Sequence, residues 1–525
     1  MSASAALNEQ NATDLSAVAM PRGQLIICCT AIIAANFMNI LDTTIISVAL
    51  PSITGSLSAT PAQGTWIYTI YAVCMAVMLP LSGWITQRFG EARVFIFSVA
   101  MFTATSWMCG LAPTFDSLIL IRALQGIAAG MMMPLTQTLL LRVMPGSPSL
   151  AMSLWSMTAA VPPILGPIAG GIITDNFGWE WIFYINILPG LLIIPVAWRY
   201  LLPLGNAPKK IPVDVVGLVT LIAGVICLQL VLDQGHEKDW FSSSLIVSLA
   251  IAAFILLGLF WLWERGEEHP ITQLSVFAIP SFTIATMIIA AFTIPFMAIM
   301  LLQSIWMQTT MGLTATWAGY IGAPMAMVPL LLMPFLGHRL NDVNPRIPMV
   351  FGLLLFSMGI FLNSYWSNQT DAVHLVYARM LMGLGMPFVF APTMALVYRD
   401  VPQALFSSAS GLFNFVRMLA ASMGTALVLS VWQNRMSHQR SYLSESLYQG
   451  NPQLDSSLSM LEGLGMTELQ SFALLEQALA REVSTLGIND MFVFCALLTF
   501  CINFLVLLVP KEPASAAGPS EAMHG

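Results

Sequence analysis

Long apolar stretches alternate with short polar segments along the whole chain. Each stretch carries few charges and is about as long as the ~20-residue helix that crosses the hydrocarbon core of a bilayer. The pattern predicts an all-α integral membrane protein with 14 transmembrane helices. The predicted spans are residues 24–50, 62–84, 92–111, 115–141, 150–174, 179–202, 213–232, 241–264, 281–307, 315–337, 346–366, 372–397, 407–432 and 489–509.

Composition and charge agree with this pattern. Hydrophobic residues make up 57% of the chain and charged residues only 9%, which excludes a soluble globular protein. With the N-terminus inside, Lys238 is the sole basic residue in the short outer loops. This asymmetry predicts cytoplasmic N- and C-termini. The basic residues at the cytoplasmic ends and loops are Arg22, Arg88, Arg93, Arg142, Arg199, Lys209, Lys210, Arg265, Arg339, Arg346, Arg399 and Lys511.

The first six and last six spans resemble each other weakly. Arg122 and Gly126 in the fourth span are echoed by Arg379 and Gly383 in the twelfth. This favours two parallel repeats about an axis along the membrane normal, although chance similarity between apolar stretches is an alternative. The predicted domains are a cytoplasmic tail at 1–23, a six-helix bundle at 24–203, a linker at 204–270 with inserted helices 7 and 8, a second six-helix bundle at 271–510 and a cytoplasmic tail at 511–525.

Residues 433–488 form a long outer segment, predicted as a periplasmic loop between the last two spans. Residues 467–485 predict an amphipathic helix, because Leu469, Phe472 and Leu479 recur at helical spacing. Segments of this length are usually functional or disordered. Two interpretations stay open: a mobile, solvated excursion, or a surface that binds a partner outside the membrane.

Asp42 is an acid placed well inside a predicted span. An ionised aspartate at the centre of a membrane helix costs roughly 2.5–3.5 kcal/mol on insertion scales, so such a residue is by default a functional candidate. Asn36, Asn39, Thr43 and Ser47 form a polar stripe on one face of the same helix, with Asp42 at its edge. The stripe indicates a hydrated cavity; an interfacial acid that pairs locally is the alternative.

Three arginines lie within spans. Arg122 shares a helix face with Gly126, and close packing there would hold its guanidinium against protein or a water-filled pocket. An arginine near Asp42 favours the ionised acid, and their separation releases it, so protonation becomes coupled to conformation. A purely structural salt bridge is the alternative. Arg379 and Arg417 are further intramembrane cations and candidates for substrate or charge contacts. Arg417 suits either an anionic substrate or a structural role in the second half.

Helix breakers are concentrated in the fifth span, at Gly166, Pro167, Gly170 and Gly171. Glycines at this spacing let another backbone approach closely, and neighbouring helices can satisfy the freed backbone groups. A static packing seam is one interpretation, and a conformational element is the other. The seven cysteines have no metal-ligand spacing, so no metal site is predicted.

These residues resemble motifs of the 14-helix drug:H+ antiporter family of the major facilitator superfamily. Residues 41–51 look like the LDxTIxNVALP motif of helix 1, residues 122–126 like the helix 4 motif RxxQGxGaA, and residues 162–171 like the GPxxGG antiporter motif of helix 5. Further stretches at 232–241, 315–319 and 461–467 resemble the EmrB branch.

The resemblance implies proton-driven export of hydrophobic or amphipathic toxic compounds by alternating access. The EmrB branch implies a bacterial inner membrane and a tripartite pump with a periplasmic adaptor and an outer-membrane channel. No phosphate-binding loop, catalytic cluster or cofactor site is visible, so we expect neither an enzyme nor a nucleic-acid partner. A metabolite facilitator or symporter and a non-transporting membrane sensor are the alternatives.

The chain departs from the family pattern in the loop between helices 2 and 3. Gly83, Arg88 and Gly90 match the loop motif, but Gln87 stands where the superfamily usually has an acid and Glu91 where it usually has a basic residue. The usual charge latch of this loop is therefore in question. In the helix 1 motif, Ser47 stands in place of the usual asparagine.

Overall fold

The computed structural model describes residues 21–204, 212–267, 270–339, 343–367, 370–445 and 451–509, and within these ranges the regular structure is helical. The α-helices are α1 Arg22–Ser56, α2 Pro61–Phe89, α3 Glu91–Gly110, α4 Phe115–Val143, α5 Pro148–Ala160, α6 Pro162–Phe177, α7 Trp181–Tyr184, α8 Ile187–Val196, α9 Val215–Gln234, α10 Ser244–Glu264, α11 Pro280–Thr309, α12 Ala315–Gly322, α13 Pro324–Arg339, α14 Arg346–Asn363, α15 Ala372–Arg399, α16 Phe406–Glu445, α17 Pro452–Gly463 and α18 Glu468–Val506.

Within the described ranges, twelve helical segments are long and apolar enough to cross a membrane. The predicted fifth and tenth spans are absent from this set because each is divided into two shorter helices, α5 with α6 and α12 with α13. The second helix of each pair begins at a proline, Pro162 or Pro324. Proline lacks the N–H that would continue the preceding helix but suits a first turn. The multi-pass, all-α architecture is confirmed, while the count of fourteen stays a prediction.

In both halves, the helix that carries an intramembrane arginine packs closely on a neighbouring helix at a glycine. A Cβ added at Gly126 would lie 2.5 Å from the carbonyl oxygen of Tyr71, so α4 packs directly on the backbone of α2. At Gly383 the corresponding distance to the carbonyl oxygen of Met325 is 2.8 Å, so α15 packs in the same way on α13. This shared glycine packing supports the predicted repeat of the two halves, although the domain boundaries stay a prediction. The sequence at 80–83, Pro-Leu-Ser-Gly, is also echoed at 334–337 as Pro-Phe-Leu-Gly, where most side chains lie outside the described residues.

The predicted inserted helices, α9 and α10, form an antiparallel pair beside the bundle. They pack mainly on each other, and α9 also contacts α2 and α16, so it touches both halves. Gln229 of α9 donates a hydrogen bond to Ser422 of α16 at 2.8 Å. The pair is therefore attached through α9, while α10 exposes large apolar side chains such as Phe254.

The segment 433–488 differs from the predicted loop because most of its described part is helical. Helix α16 runs without interruption to Glu445, and α18 begins at Glu468 and continues into the last span. Thr467 caps α18 by accepting a hydrogen bond from the backbone of Gln470, whose side chain accepts one from the backbone N–H of Thr467. The amphipathic helix predicted from residue 467 is thus confirmed. Residues 446–450 lie outside the described residues.

Candidate functional site

Asp42 and Arg122 form a buried ion pair between α1 and α4. Arg122 Nη1 lies 2.7 Å from Asp42 Oδ2, and both side chains have 0% exposure. Close approach of α4 to α2 at Gly126 and Gly130 places the guanidinium inside the first half rather than against lipid. The structure therefore brings together the two residues that the sequence analysis selected for proton coupling, and their coupling role stays a prediction.

Amide side chains complete the surroundings of the carboxylate. Asp42 Oδ1 accepts hydrogen bonds from Gln125 Nε2 at 3.2 Å and from Asn186 Nδ2 at 3.0 Å. Both amides also donate to Ser106 Oγ at 3.0 Å. Four donor–acceptor contacts thus link α1, α3, α4 and the α7–α8 junction. Three donors, from Arg122, Gln125 and Asn186, thus surround the buried carboxylate.

The guanidinium of Arg122 is held from several sides. It donates from Nη1 to Gln125 Oε1 at 2.7 Å, and its carbon lies 4.1 Å from the centroid of the Tyr71 ring. Its Nη2 has no hydrogen-bond partner among the described residues. Tyr71 in turn donates to Asn39 Oδ1 at 2.9 Å. One guanidinium nitrogen thus has unused hydrogen-bonding capacity within the described part of the site.

Asn36 and Asn39, predicted to face a hydrated cavity, are buried in this conformation. Asn39 Nδ2 donates to the Ala129 carbonyl at 3.0 Å. Asn36 donates to Thr158 of α5, and its oxygen accepts from Thr136 at 3.4 Å. The stripe therefore ties α1 to α4 and α5. The side chain of Ser47, assigned to the same stripe, lies outside the described residues.

Arg417 and Arg379 occupy different surroundings. Arg417 of α16 reaches the first half, where Nη2 lies 3.2 Å from Met133 Sδ and the guanidinium carbon lies 5.9 Å from the Trp155 ring centroid. Arg379 of α15 is buried inside the second half. Arg417 therefore lies at the boundary between the two halves.

The helix 5 motif packs directly behind the carboxylate. A Cβ at Gly166 would lie 2.7 Å from Thr44 Cβ, and one at Gly170 would lie 2.8 Å from the Ile45 carbonyl oxygen. Pro167 is partly exposed and Gly171 is buried on the same helix, α6. The seam thus joins α6 to the turn of α1 that follows Asp42, so displacement of either helix reaches the ion pair.

The loop motif forms the sharp turn between α2 and α3. Gly90 has φ of 89°, a conformation that favours glycine, and it ends α2 and precedes α3. Arg88 lies over the Trp84 ring, with its guanidinium carbon 5.2 Å from the centroid. A Cβ at Gly83 would lie 2.8 Å from Ser408 Cα, so α2 and α16 are in backbone contact near this turn.

Glu91, which stands where the superfamily usually has a basic residue, forms an ion pair beside this turn. Its carboxylate lies 2.8 Å from Arg142 Nη2 and accepts a hydrogen bond from Ser407 Oγ at 2.8 Å. Ser407 belongs to the first turn of α16, where a negative charge is favoured by the helix dipole. Glu91 therefore links the first half to the second.

Gln137 forms a second link between the halves, which the sequence analysis missed. Its Oε1 accepts hydrogen bonds from Asn414 at 2.7 Å, from Tyr398 at 3.0 Å and from Ser410. A single glutamine of α4 is thus held by α15 and α16. An uncharged amide in an apolar span gives little signal by itself, so only the packing identifies it.

Comparisons with known proteins agree with this arrangement. The family profile described as Major Facilitator Superfamily matches residues 32–425. The chain is 36% identical over 508 residues to the multidrug export protein EmrB of Escherichia coli (strain K12), covering 95% of this chain and 98% of that protein. It is 33% identical over 485 residues to the fatty acid resistance protein FarB of Neisseria gonorrhoeae, covering 92% and 96%.

A solved structure confirms the fold independently. The crystal structure of the human organic anion transporter MFSD10 matches 93% of this chain and 100% of its own, with a TM-score of 0.59 at 12% sequence identity. The predicted major facilitator fold is thereby confirmed. Together with the identity to EmrB along nearly the whole chain, it shows that the chain belongs to the major facilitator superfamily, among its EmrB-like multidrug efflux transporters.

Proposed function

We propose that the protein exports hydrophobic or amphipathic toxic compounds across the inner membrane in exchange for protons, by alternating access, with both termini in the cytoplasm. The observation that carries this proposal is the buried Asp42–Arg122 pair, in which one ionisable carboxylate is held by Arg122, Gln125 and Asn186. The EmrB relatives, named as multidrug export proteins, support drug efflux as the transport activity.

The network couples a proton to helix movement through loss of a charge. Protonation of Asp42 removes the negative partner of Arg122 and leaves a buried cation, which is a costly state. Breaking a buried pair in this way costs about 3–5 kcal/mol. A proton crossing a potential of ~100 mV releases about 2.3 kcal/mol, and each pH unit adds about 1.4 kcal/mol. The two quantities are comparable, so one proton suffices to shift α1 and α4 against each other.

Two sets of contacts would transmit a rearrangement at Asp42 to the boundary between the halves. Helix α6 packs on the turn of α1 after Asp42 and also contacts α12 of the second half. Helix α4 carries both Arg122 and Gln137, whose amide oxygen accepts hydrogen bonds from α15 and α16. Protonation of Asp42, the partner of Arg122 on α4, thus biases the contacts that must open on the cytoplasmic side.

Counterflow in proteoliposomes tests the proposed function. The purified protein should exchange internal and external substrate, and added substrate should release protons in proportion to flux. A facilitator would show exchange without proton release, and a sensor would bind substrate without flux. Either result would contradict the antiport proposal.

We also propose that the helical extensions bind a periplasmic adaptor, which passes substrate to an outer-membrane channel. Leu469 and Phe472 of α18 are 81% and 46% exposed on the part of the helix that precedes the last span. Arg440 of α16 pairs with Glu476 of α18, so the two extensions form one surface. Exposed apolar side chains on such a surface are typical of a protein contact.

The adaptor contact is tested by surface substitutions that leave α18 continuous. A Leu469→Gln/Phe472→Gln variant should lose adaptor co-purification and cellular resistance while it retains substrate–proton exchange in liposomes. Phe89→Gln, at an exposed aromatic on the opposite end of the bundle, is the matched control. Unchanged co-purification of the double variant would place the docking surface elsewhere.

A further inference from the structure

Arg379 is a buried cation that has no ion pair with a carboxylate among the described residues. The residue is 2% exposed. Its Nη1 contacts only two thioether sulfurs, Met300 Sδ at 3.8 Å and Met325 Sδ at 3.6 Å. Its Nε has no hydrogen-bond partner among the described residues. Thioether sulfur is a weak acceptor, so these contacts do not compensate a buried charge.

The helices that pack around Arg379 in the described part of the chain offer no acid to supply the missing partner. Helix α15 has its main contacts with α5, α11, α12, α13 and α14. None of these five helices, nor α15 itself, contains an Asp or Glu anywhere in its sequence. A rotamer change therefore brings no carboxylate of these helices to Arg379, and the counter-charge has to come from outside this part of the fold.

Amides with unused hydrogen-bonding groups lie on the neighbouring helix faces. Gln303 is 0% exposed and neither its Nε2 nor its Oε1 has a partner among the described residues. It lies one helical turn from Met300, the residue that Arg379 contacts, and so shares its face of α11. Asn363 of α14 contacts Met382, one turn from Arg379, and its Oδ1 also lacks a partner within the described chain.

The corresponding arginine of the first half, Arg122, has the acidic partner that Arg379 lacks. Arg122 and Arg379 are each the eighth residue of their helix, and each is followed four residues later by a glycine that packs on a neighbouring backbone. Arg122 has Asp42 at 2.7 Å. Arg379 has methionine sulfur and amides without partners instead. The arginine of the first half is therefore neutralised by an acid of the protein, whereas the corresponding arginine of the second half has no acidic partner among the described residues.

We infer that Arg379 binds the carboxylate of an amphipathic organic anion, which the protein recognises as a substrate. A guanidinium matches a carboxylate bidentately, and Gln303 would supply a further amide donor. The unbranched, polarizable side chains of Met300 and Met325 adapt to varied apolar tails. The site is closed in this conformation, and the inference rests on the proposed alternating access to open it.

Two ligands that differ only in charge test the inference. Decanoate and decanamide have the same chain length, so the ratio of their Kd values for the purified full-length protein reports recognition of the carboxylate. The wild type should bind decanoate about tenfold tighter or more, as one charge-assisted hydrogen-bonded pair would give. Arg379→Gln should reduce the ratio to about one while decanamide binding persists. Arg379→Lys should retain part of the preference.

Matched variants and salts separate the remaining outcomes. Arg265→Gln, at an exposed arginine at the end of α10, should keep the wild-type ratio. A wild type without preference for decanoate, or a preference lost in Arg417→Gln but kept in Arg379→Gln, would overturn the assignment. Arg379-dependent binding of chloride or acetate without a preference for decanoate would assign the site to a free ion and also overturn the substrate role.

Failure of the inference is distinguishable from failure of the proposed function. Counterflow of an uncharged lipophilic substrate with proton release by the wild type measures the function without using the carboxylate. If that exchange occurs and the protein does not bind decanoate more tightly than decanamide, only the proposed role of Arg379 is contradicted. If the protein prefers decanoate and no substrate drives proton release, the anion site at Arg379 is supported and the antiport proposal is contradicted.

Discussion

Asn186 donates a hydrogen bond to Asp42 across 3.0 Å, although the two residues are far apart in the chain. Asn186 lies at the short break between α7 and α8, so the interruption of the sixth span delivers its amide to the carboxylate. A Cβ at Gly190, one turn later, would lie 2.9 Å from Thr103 Cβ, which shows how tightly α8 packs on α3. The sixth span is therefore part of the ionisable site.

Asn186→Leu should destabilise the protein. The substitution removes a hydrogen-bond donor from the buried Asp42 carboxylate. Loss of one hydrogen bond to a charged group costs about 1.5–3 kcal/mol. Melting temperatures in detergent measure the loss; an unchanged melting temperature would show that this hydrogen bond contributes no stability.

Asp42→Asn should abolish uphill export while substrate binding persists. The amide preserves the size of the side chain but carries no exchangeable charge. Export driven by an imposed pH gradient and equilibrium binding of the same substrate should be measured on one preparation. Asp116→Asn, at an exposed acid in the first turn of α4, is the control. Normal proton-coupled export by Asp42→Asn would remove this residue from the mechanism.

Arg122→Ala should destabilise the protein more than the double variant Asp42→Asn/Arg122→Ala does. The single change leaves a carboxylate buried without its cation, at a cost of about 3–5 kcal/mol, whereas the double change removes both charges. Melting temperatures in detergent report the order of stability, and both variants should lack proton-driven export. Equal melting temperatures would mean that the pair is not energetically coupled.

Gly166→Leu and Gly170→Leu should each impair transport although the protein still reaches the membrane. Leucine at either position meets α1 at Thr44 or Ile45, where little space exists for a side chain. Gly55→Leu provides the helical control, because a Cβ there meets nothing within 4 Å. Surface-labelled expression and export rates should be compared; active leucine variants at both glycines would refute a mechanical role for the seam.

Glu91→Gln should favour opening at the end of the bundle that holds the turn at Gly90. The glutamine can still accept from Ser407, but it loses the ion pair with Arg142 and the negative charge at the start of α16. Labelling of single cysteines introduced on the α2 and α16 surfaces would measure access, with Glu91→Asp as the conservative variant. Identical labelling of Glu91→Gln and wild type would show that the latch lies elsewhere.

The sequence identified Asp42 and Arg122 because isolated charges stand out in apolar spans. It did not identify Ser106, Gln137 or Asn186, since uncharged polar residues are common in such spans and only tertiary packing shows what they contact. The sequence shows which segments contain no acid, but only the structure shows that these segments are the helices that pack around Arg379. Packing partners, rather than residue types, were the missing information.

The segment 433–488 illustrates a different difficulty. Its position between two spans predicted a long outer loop, yet a capping box at Thr467 and Gln470 marks the start of a helix that passes into the last span without a break. The amphipathic period revealed the helix but not its continuity, because polar and apolar stretches of one helix give different hydropathy signals. Local capping chemistry was the better guide here.

The continuity of α18 gives the protein a rigid connection between the bilayer and the space outside it. At about 1.5 Å per residue, its 39 residues extend ~58 Å, nearly twice the ~30 Å hydrocarbon core. Because no flexible joint separates the two parts, a small tilt within the bundle becomes a larger sideways displacement at the tip near Leu469. A protein bound to that tip would sense which way the transporter faces without contacting the cargo.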